Sequence, residues 1–102
     1  MSIKKHYLKN RPRCKVTLVL PKHLASNGSQ VFVAGEFNQW NPEVTPMEKL
    51  KNGDYQATID LGTGREYQFR YVIDGHQWEN DDQADKWLSN GYSGENNSVI
   101  VV

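Results

Sequence analysis

A side-chain alternation of period two recurs along this chain, and it belongs to strands that bury one face. Over residues 54–61, Tyr55, Ala57, Ile59 and Leu61 point one way, while Gln56, Thr58 and Asp60 point the other. Over residues 65–74 the same rule gathers Tyr67, Phe69, Tyr71 and Ile73 and leaves Gln68, Arg70 and Val72 opposite. Val16, Leu18 and Leu20 mark an earlier strand over 15–20, and further strands are expected over 30–34, 46–51 and 98–102. Between them lies turn chemistry: Asn52-Gly53, Gly62-Thr63-Gly64 and Asp74-Gly75. Asn-Gly predicts a type I′ hairpin, because both residues tolerate positive φ. Strands at such short spacing build an antiparallel sandwich rather than strand–helix–strand units. No stretch shows a helical period; residues 21–28 and 84–88 offer at most a single turn each.

At 102 residues the chain has room for one modest core and none for a separate catalytic domain. Twelve basic side chains balance twelve acidic ones. That argues against nucleic acid as a partner, since duplex binding needs a basic face to displace counterions. The charge is uneven, however. Lys4, Lys5, Lys9, Arg11, Arg13 and Lys15 open the chain without an acid among them, and Glu79, Asp81, Asp82 and Asp85 form an acidic run. Two solvated patches are one reading, and attraction within the fold or between copies is the other. Residues 1–12 read as a basic extended arm ahead of a domain over 13–102. No run approaches the roughly 18 apolar residues of a membrane span, and a cytoplasmic location is expected.

Candidate chemistry is sparse. His6, His23, His76 and the lone Cys14 lie in separate segments and give no zinc spacing. Cys14 falls on strand phase and reads as a core thiol. The acidic run lacks the spacing and glycine of an EF-hand loop, and no phosphate loop or nucleophile elbow occurs. No metal, cofactor or enzymatic activity is expected. The tryptophans are the informative residues. Trp40 lies in a polar turn after a strand, and Trp78 follows Asp74-Gly75 and precedes the acidic run. A sugar ring offers an apolar C–H face and a hydroxyl edge. It therefore suits flat aromatics flanked by amide and guanidinium groups. Trp40 with Asn38 and Gln39, Trp78 with Gln77, and Arg70 on the non-core face supply both kinds. Loop anchors packed on the sandwich edge are the competing reading of both rings, and Trp87 reads as a cap on the core.

The stretch Val31-Phe-Val-Ala-Gly-Glu-Phe-Asn-Gln-Trp-Asn41, then Gly53-Asp54-Tyr55, then Tyr67-Gln-Phe-Arg-Tyr-Val-Ile-Asp-Gly75 and Trp78, resembles the isoamylase-type early-set domain. It is also similar to the glycogen-binding domain of the AMP-activated protein kinase β subunit. The resemblance covers about residues 14–102 and implies an all-β, immunoglobulin-like (early-set) antiparallel β-sandwich. It further implies a non-catalytic module that binds α-glucan of the glycogen or starch type. Carried over position by position, the stacking tryptophans fall on Trp40 and Trp78 and the basic contact on Arg70. The late asparagine falls on Asn96, and a leucine that threads the sugar ring falls near Tyr92. His76 is an additional residue between Asp74-Gly75 and Gln77-Trp78, and Asp82 stands where related modules often carry proline. The expected partner is an α-glucan polysaccharide or oligosaccharide, with a glycogen-metabolism enzyme as the protein it would accompany. The alternative is an interaction adaptor that keeps the fold without binding sugar.

Overall fold

Cys14, Val16, Leu18 and Leu20 alternate with Arg13, Lys15, Thr17 and Val19, and all four of the first set are fully buried. Such a segment is stable only with one face on a core and the other free. The computed structural model describes residues 1–26, 28–89 and 95–102, and it satisfies this demand with a two-layer sandwich. One sheet holds β1 (Ser2–Tyr7), β2 (Arg13–Leu20), β4 (Glu48–Lys49) and β5 (Tyr55–Gly62), in the order β1-β2-β5-β4. The other holds β3 (Val31–Gly35), β6 (Glu66–Ile73), β8 (Lys86–Ser89) and β9 (Asn96–Val101), in the order β3-β6-β9-β8. A short β7 (Gln77–Glu79) also pairs with β6. All of these pairings are antiparallel. Single 3-10 turns at Lys22–Leu24 and Glu36–Asn38 complete the described elements.

The core takes the predicted faces. Tyr55, Ala57 and Leu61 of β5 meet Tyr67, Phe69, Tyr71 and Ile73 of β6, with Val31, Val33 and Ile100 from the flanking strands. Phe69 and Tyr71 pack edge to face, with ring centroids 5.6 Å apart and planes at 88°, the arrangement favoured by the aromatic quadrupole. Val72 lies on the outward register yet is also fully buried. It is flanked across the sheet by Phe32 on β3 and Trp78 on β7.

Four expectations are refined. Residues 2–7 are extended, and they form β1, paired along its whole length with β2. Two groups of the acidic run answer the basic start of the chain within the fold: Lys5 Nζ lies 2.7 Å from Asp85 Oδ2, and the terminal ammonium lies 3.9 Å from Asp82. Asp81 is fully buried rather than solvated. Residues 86–89 form β8 instead of a turn, because Lys86 to Ser89 find a partner in β9.

The hairpin before β5 is not type I′. Gly53 has φ +96° and no other residue of that turn is left-handed. The Gly53 N–H donates to Leu50 O and the Leu50 N–H to Asp54 O. This is a three-residue loop closed by a left-handed glycine, the next commonest hairpin class. Asn52 instead uses its side chain: Oδ1 accepts from the Asp54 N–H at 2.9 Å. The segment leading into β4 changes sheets. Thr45 O and the Met47 N–H bond to β3, whereas Glu48 and Lys49 pair with β5.

The Tyr71 hydroxyl donates to Asp81 Oδ2 at 2.5 Å inside the protein. Burial, then the Asp81 charge, raises the Tyr71 phenol well above its ordinary value of 10.0. The folded state thus holds this proton more tightly than the unfolded chain. The stability it lends is complete below about pH 10 and declines as pH rises beyond that value. Tyr71→Phe is expected to cost about 1–3 kcal/mol at pH 7, because it strands a buried acceptor. It should also lose less stability than the parent between pH 9.5 and 11.5, as read by urea unfolding at each pH. Equal losses in both proteins would show that Tyr71 does not titrate with unfolding.

Candidate functional site

Strand β6 changes partners part-way along one edge. From Glu66 to Phe69 it pairs with β9, and from Tyr71 to Ile73 with β7. Since β3 occupies the opposite edge from Phe69 to Ile73, β9 and β7 lie end to end on the same side. Arg70 sits at the break between them. The gap opens into a concavity of about 590 Å³ lined by Arg70, Trp78, Glu79, Asn80, Trp87, Glu95 and Asn96. That volume lies within the range of small-ligand sites.

Turn chemistry delivers Trp78 to this place. Asp74 and Gly75 both have positive φ, at +53° and +76°, and the His76 N–H donates to Ile73 O, which makes a tight type I′-like reversal. The Asp74 carboxylate accepts from the Gln30 N–H and the Ser29 hydroxyl, each at 3.0 Å, and so pins the turn to the start of β3. With His76 accommodated before Ile73 pairs with Gln77, Trp78 lies opposite Val72, on the outward face it shares with Arg70. Trp78 is 41% exposed.

Beneath the concavity lies a chain of polar contacts. Asn80 Nδ2 donates to Asn96 O at 2.8 Å, and Asn80 Oδ1 accepts from the Ser98 N–H and hydroxyl. The Asp81 N–H donates to Ser98 Oγ at 2.8 Å, and its carboxylate takes the Tyr71 hydroxyl and the Gln83 N–H. Arg70 is largely covered, with its side chain 12% exposed. It donates through Nη1 to Glu95 at 3.0 Å and through Nη2 to Asn96 O at 2.8 Å. Its Nε is buried with no hydrogen-bond partner among the described residues. Arg70 thus fixes the start of β9 against the floor of the concavity.

The structure brings together three of the residues singled out in the sequence: Arg70, Trp78 and Asn96. Trp87, expected on the core, is corrected: it is 45% exposed and lines the same concavity. Its indole N–H is anchored on Asp81 O at 3.2 Å. Glu79, read only as part of the acidic run, and Asn80 and Glu95 carried no sign of a shared site in the sequence, since only the partner change on β6 assembles them. Trp87 did carry a signal. Successive strand residues face opposite ways, so the adjacent Trp87 and Leu88 cannot both enter one core. Gln77 lies outside the lining, with its amide on Glu79 at 2.9 Å.

Trp40 and Asn38 occupy the turn after β3. Trp40 is half-buried and is absent from the concavity lining. Gln39 and Trp40 are both left-handed, at φ +56° and +58°, a rare conformation for large side chains that marks stored strain. Asn38 sustains it. Its Oδ1 accepts from the Gly35 N–H at 3.0 Å, and its Nδ2 donates to Val33 O and Thr45 Oγ1, each at 2.9 Å. Both amide hydrogens are committed, so Asn38 shapes the turn that presents Trp40. Gly35 is required for close approach: an added Cβ would lie 2.6 Å from Gln68 O and 2.8 Å from Phe69 Cβ. The position proposed for Tyr92 lies outside the described residues. Among the described residues no cluster of three or more His, Cys, Asp or Glu is placed to hold a metal ion.

Residues 23–102 match the family described as the glycogen recognition site of AMP-activated protein kinase. The chain belongs to that family. It is a family of carbohydrate-binding modules, which are non-catalytic domains, and β3 through β9 lie within the matched range. The chain is also 39% identical over 72 residues to a 1,4-alpha-glucan branching enzyme GlgB of Photobacterium profundum. The alignment takes in 70% of this chain and 10% of that enzyme's length, so the likeness is to one segment of a much larger protein.

Asn38→Ala is expected to destabilise the fold by about 1–3 kcal/mol, because it strands partly buried backbone groups. It should also change the near-ultraviolet circular dichroism of Trp40. An unaltered melting temperature and spectrum would show that the turn holds itself without the amide.

Proposed function

We propose that this protein binds α-glucan chains of the glycogen or starch type without catalysis, by stacking glucose faces on exposed indoles. The observation that carries this reading is the concavity at the β6 partner change. There a 41%-exposed tryptophan lines one depression with a largely covered arginine and an exposed asparagine. Trp78 supplies the apolar platform, and Arg70 and Asn96 supply hydrogen bonds to the hydroxyl edge. Trp40, on its strained turn at the end of β3, extends the aromatic contact outside the concavity. Glu79 and Glu95 add acceptors for sugar hydroxyls. Membership of a glycogen-recognition family supports the choice of glucan, and the branching-enzyme likeness supports a role in which the module accompanies glucan chemistry performed elsewhere.

The energetics fit a weak site used on a polymer. An indole face that loses about 50 Å² of apolar surface to a sugar gains roughly 1.3 kcal/mol, close to tenfold in affinity. Two such faces and three or four hydrogen bonds to charged groups at about 1.5 kcal/mol each give roughly 7–9 kcal/mol, and an association cost of at least about 4 kcal/mol leaves binding near the millimolar range. Glycogen presents many chain ends, so repeated weak sites hold well.

Titration of the protein with maltoheptaose is expected to perturb tryptophan fluorescence and to saturate in the low-millimolar range or below. Trp78→Ala should weaken that binding about tenfold or more. No change in either fluorescence or amide chemical shifts at several millimolar sugar would overturn the proposal.

A further inference from the structure

Trp87 has no task in the reading above, yet it has the features of a contact residue. It stands on β8, an edge strand whose four residues are all exposed, and it lines the same concavity as Trp78. Large exposed rings that border a polar depression mark binding surfaces more often than accidents of packing. The Trp87 ring is also held in place. Its N–H is spent on the backbone oxygen of a fully buried residue, Asp81. Asp81 is itself fixed by Tyr71, Gln83 and Ser98. A ring anchored at its polar edge keeps its apolar face available and loses little freedom when a ligand arrives.

The two rings leave the sheet in different directions. Trp78 shares the outward register of Val72. Trp87 lies opposite Ser98, whose hydroxyl meets the inward-turned Asp81 segment. Arg70, Asn80 and Asn96 lie in the lining with them. A ligand that touches both indoles must therefore bend around the sheet edge and be several sugar units long.

We propose that Trp87 is a second aromatic platform in this concavity and that it makes the site select longer, bent α-linked glucans over short ones. A glucose face on Trp78 anchors the chain, units crossing the mouth meet Arg70 and Asn96, and a non-adjacent unit rests on Trp87. This inference depends on the glucan-binding reading and adds to it a residue that determines specificity for chain length.

The test compares maltotriose, maltoheptaose and straight, β-linked cellohexaose, each titrated by calorimetry into the parent protein, Trp87→Ala, Trp87→Phe and Trp78→Ala. The parent is expected to favour maltoheptaose over maltotriose by about tenfold, the worth of one more stacked face. It should not bind cellohexaose. Trp87→Ala should bind maltotriose as the parent does and lose the advantage for maltoheptaose, whereas Trp87→Phe, which keeps a flat ring, should restore most of it. Trp78→Ala should weaken both maltodextrins. The proposal is overturned if Trp87→Ala keeps the full preference for the longer sugar. It is equally overturned if Trp87→Phe loses both maltodextrins to the same extent, since the residue would then be purely structural. If the parent binds no maltodextrin, the glucan-binding reading itself fails; if Trp87→Ala alone is unaffected, only this inference does.

Discussion

The Asp81 carboxylate, buried where β6 exchanges one partner strand for another, is the contact on which the concavity rests. An ionisable group in such a place is costly unless its lone pairs are satisfied. Here the Tyr71 hydroxyl and the Gln83 N–H satisfy it, while the backbone of the same residue engages Ser98 and Trp87. One residue thereby joins the core, the start of β9, the loop after β7 and an exposed indole. Because networks of this kind are strong only when complete, the rim of the concavity inherits its order from the interior of the sandwich.

That arrangement separates two kinds of residue within the site. Arg70, Asn80 and Asp81 are turned mainly toward the protein and set positions; Trp78 and Trp87 are turned toward solvent. A weak ligand cannot reorganise a loose surface, since each side chain it orders subtracts from its affinity. Here the ordering is done in folding, by buried hydrogen bonds. The turn at Gln39 and Trp40 follows the same logic by other means, with backbone strain held by a fully committed asparagine.

Much of the sandwich was legible in the sequence because sheet burial leaves a local trace. Alternation identified the inward faces of β2, β5 and β6, and turn residues marked their ends. What escaped depended on partners distant in sequence. Residues 2–7 have no clear alternation and become a strand through pairing with β2, and residues 86–89 do so through β9. The Asn52-Gly53 turn kept its position but took a three-residue form, because the Asn52 side chain bonds locally to the next strand. Of the residues lining the concavity, Arg70, Trp78 and Asn96 were singled out from residue type and family likeness. Asn80, Glu79 and Glu95 were not, because nothing in their local sequence records that β7 and β9 meet end to end. Asp81 sat in a run that reads as solvated charge, and only the fold shows that its carboxylate faces a tyrosine.

The matched family range begins at residue 23, and β2 ends at Leu20. Yet β2 contributes four completely enclosed side chains and lies hydrogen-bonded between β1 and β5. A fragment cut at the start of the matched range would leave β5 as an open edge and strip four of the fifteen buried residues from the core cluster. The stretch that the family shares and the stretch that lets the chain fold are therefore unequal in length, and the boundary of the smaller one is no guide to where this domain can be severed.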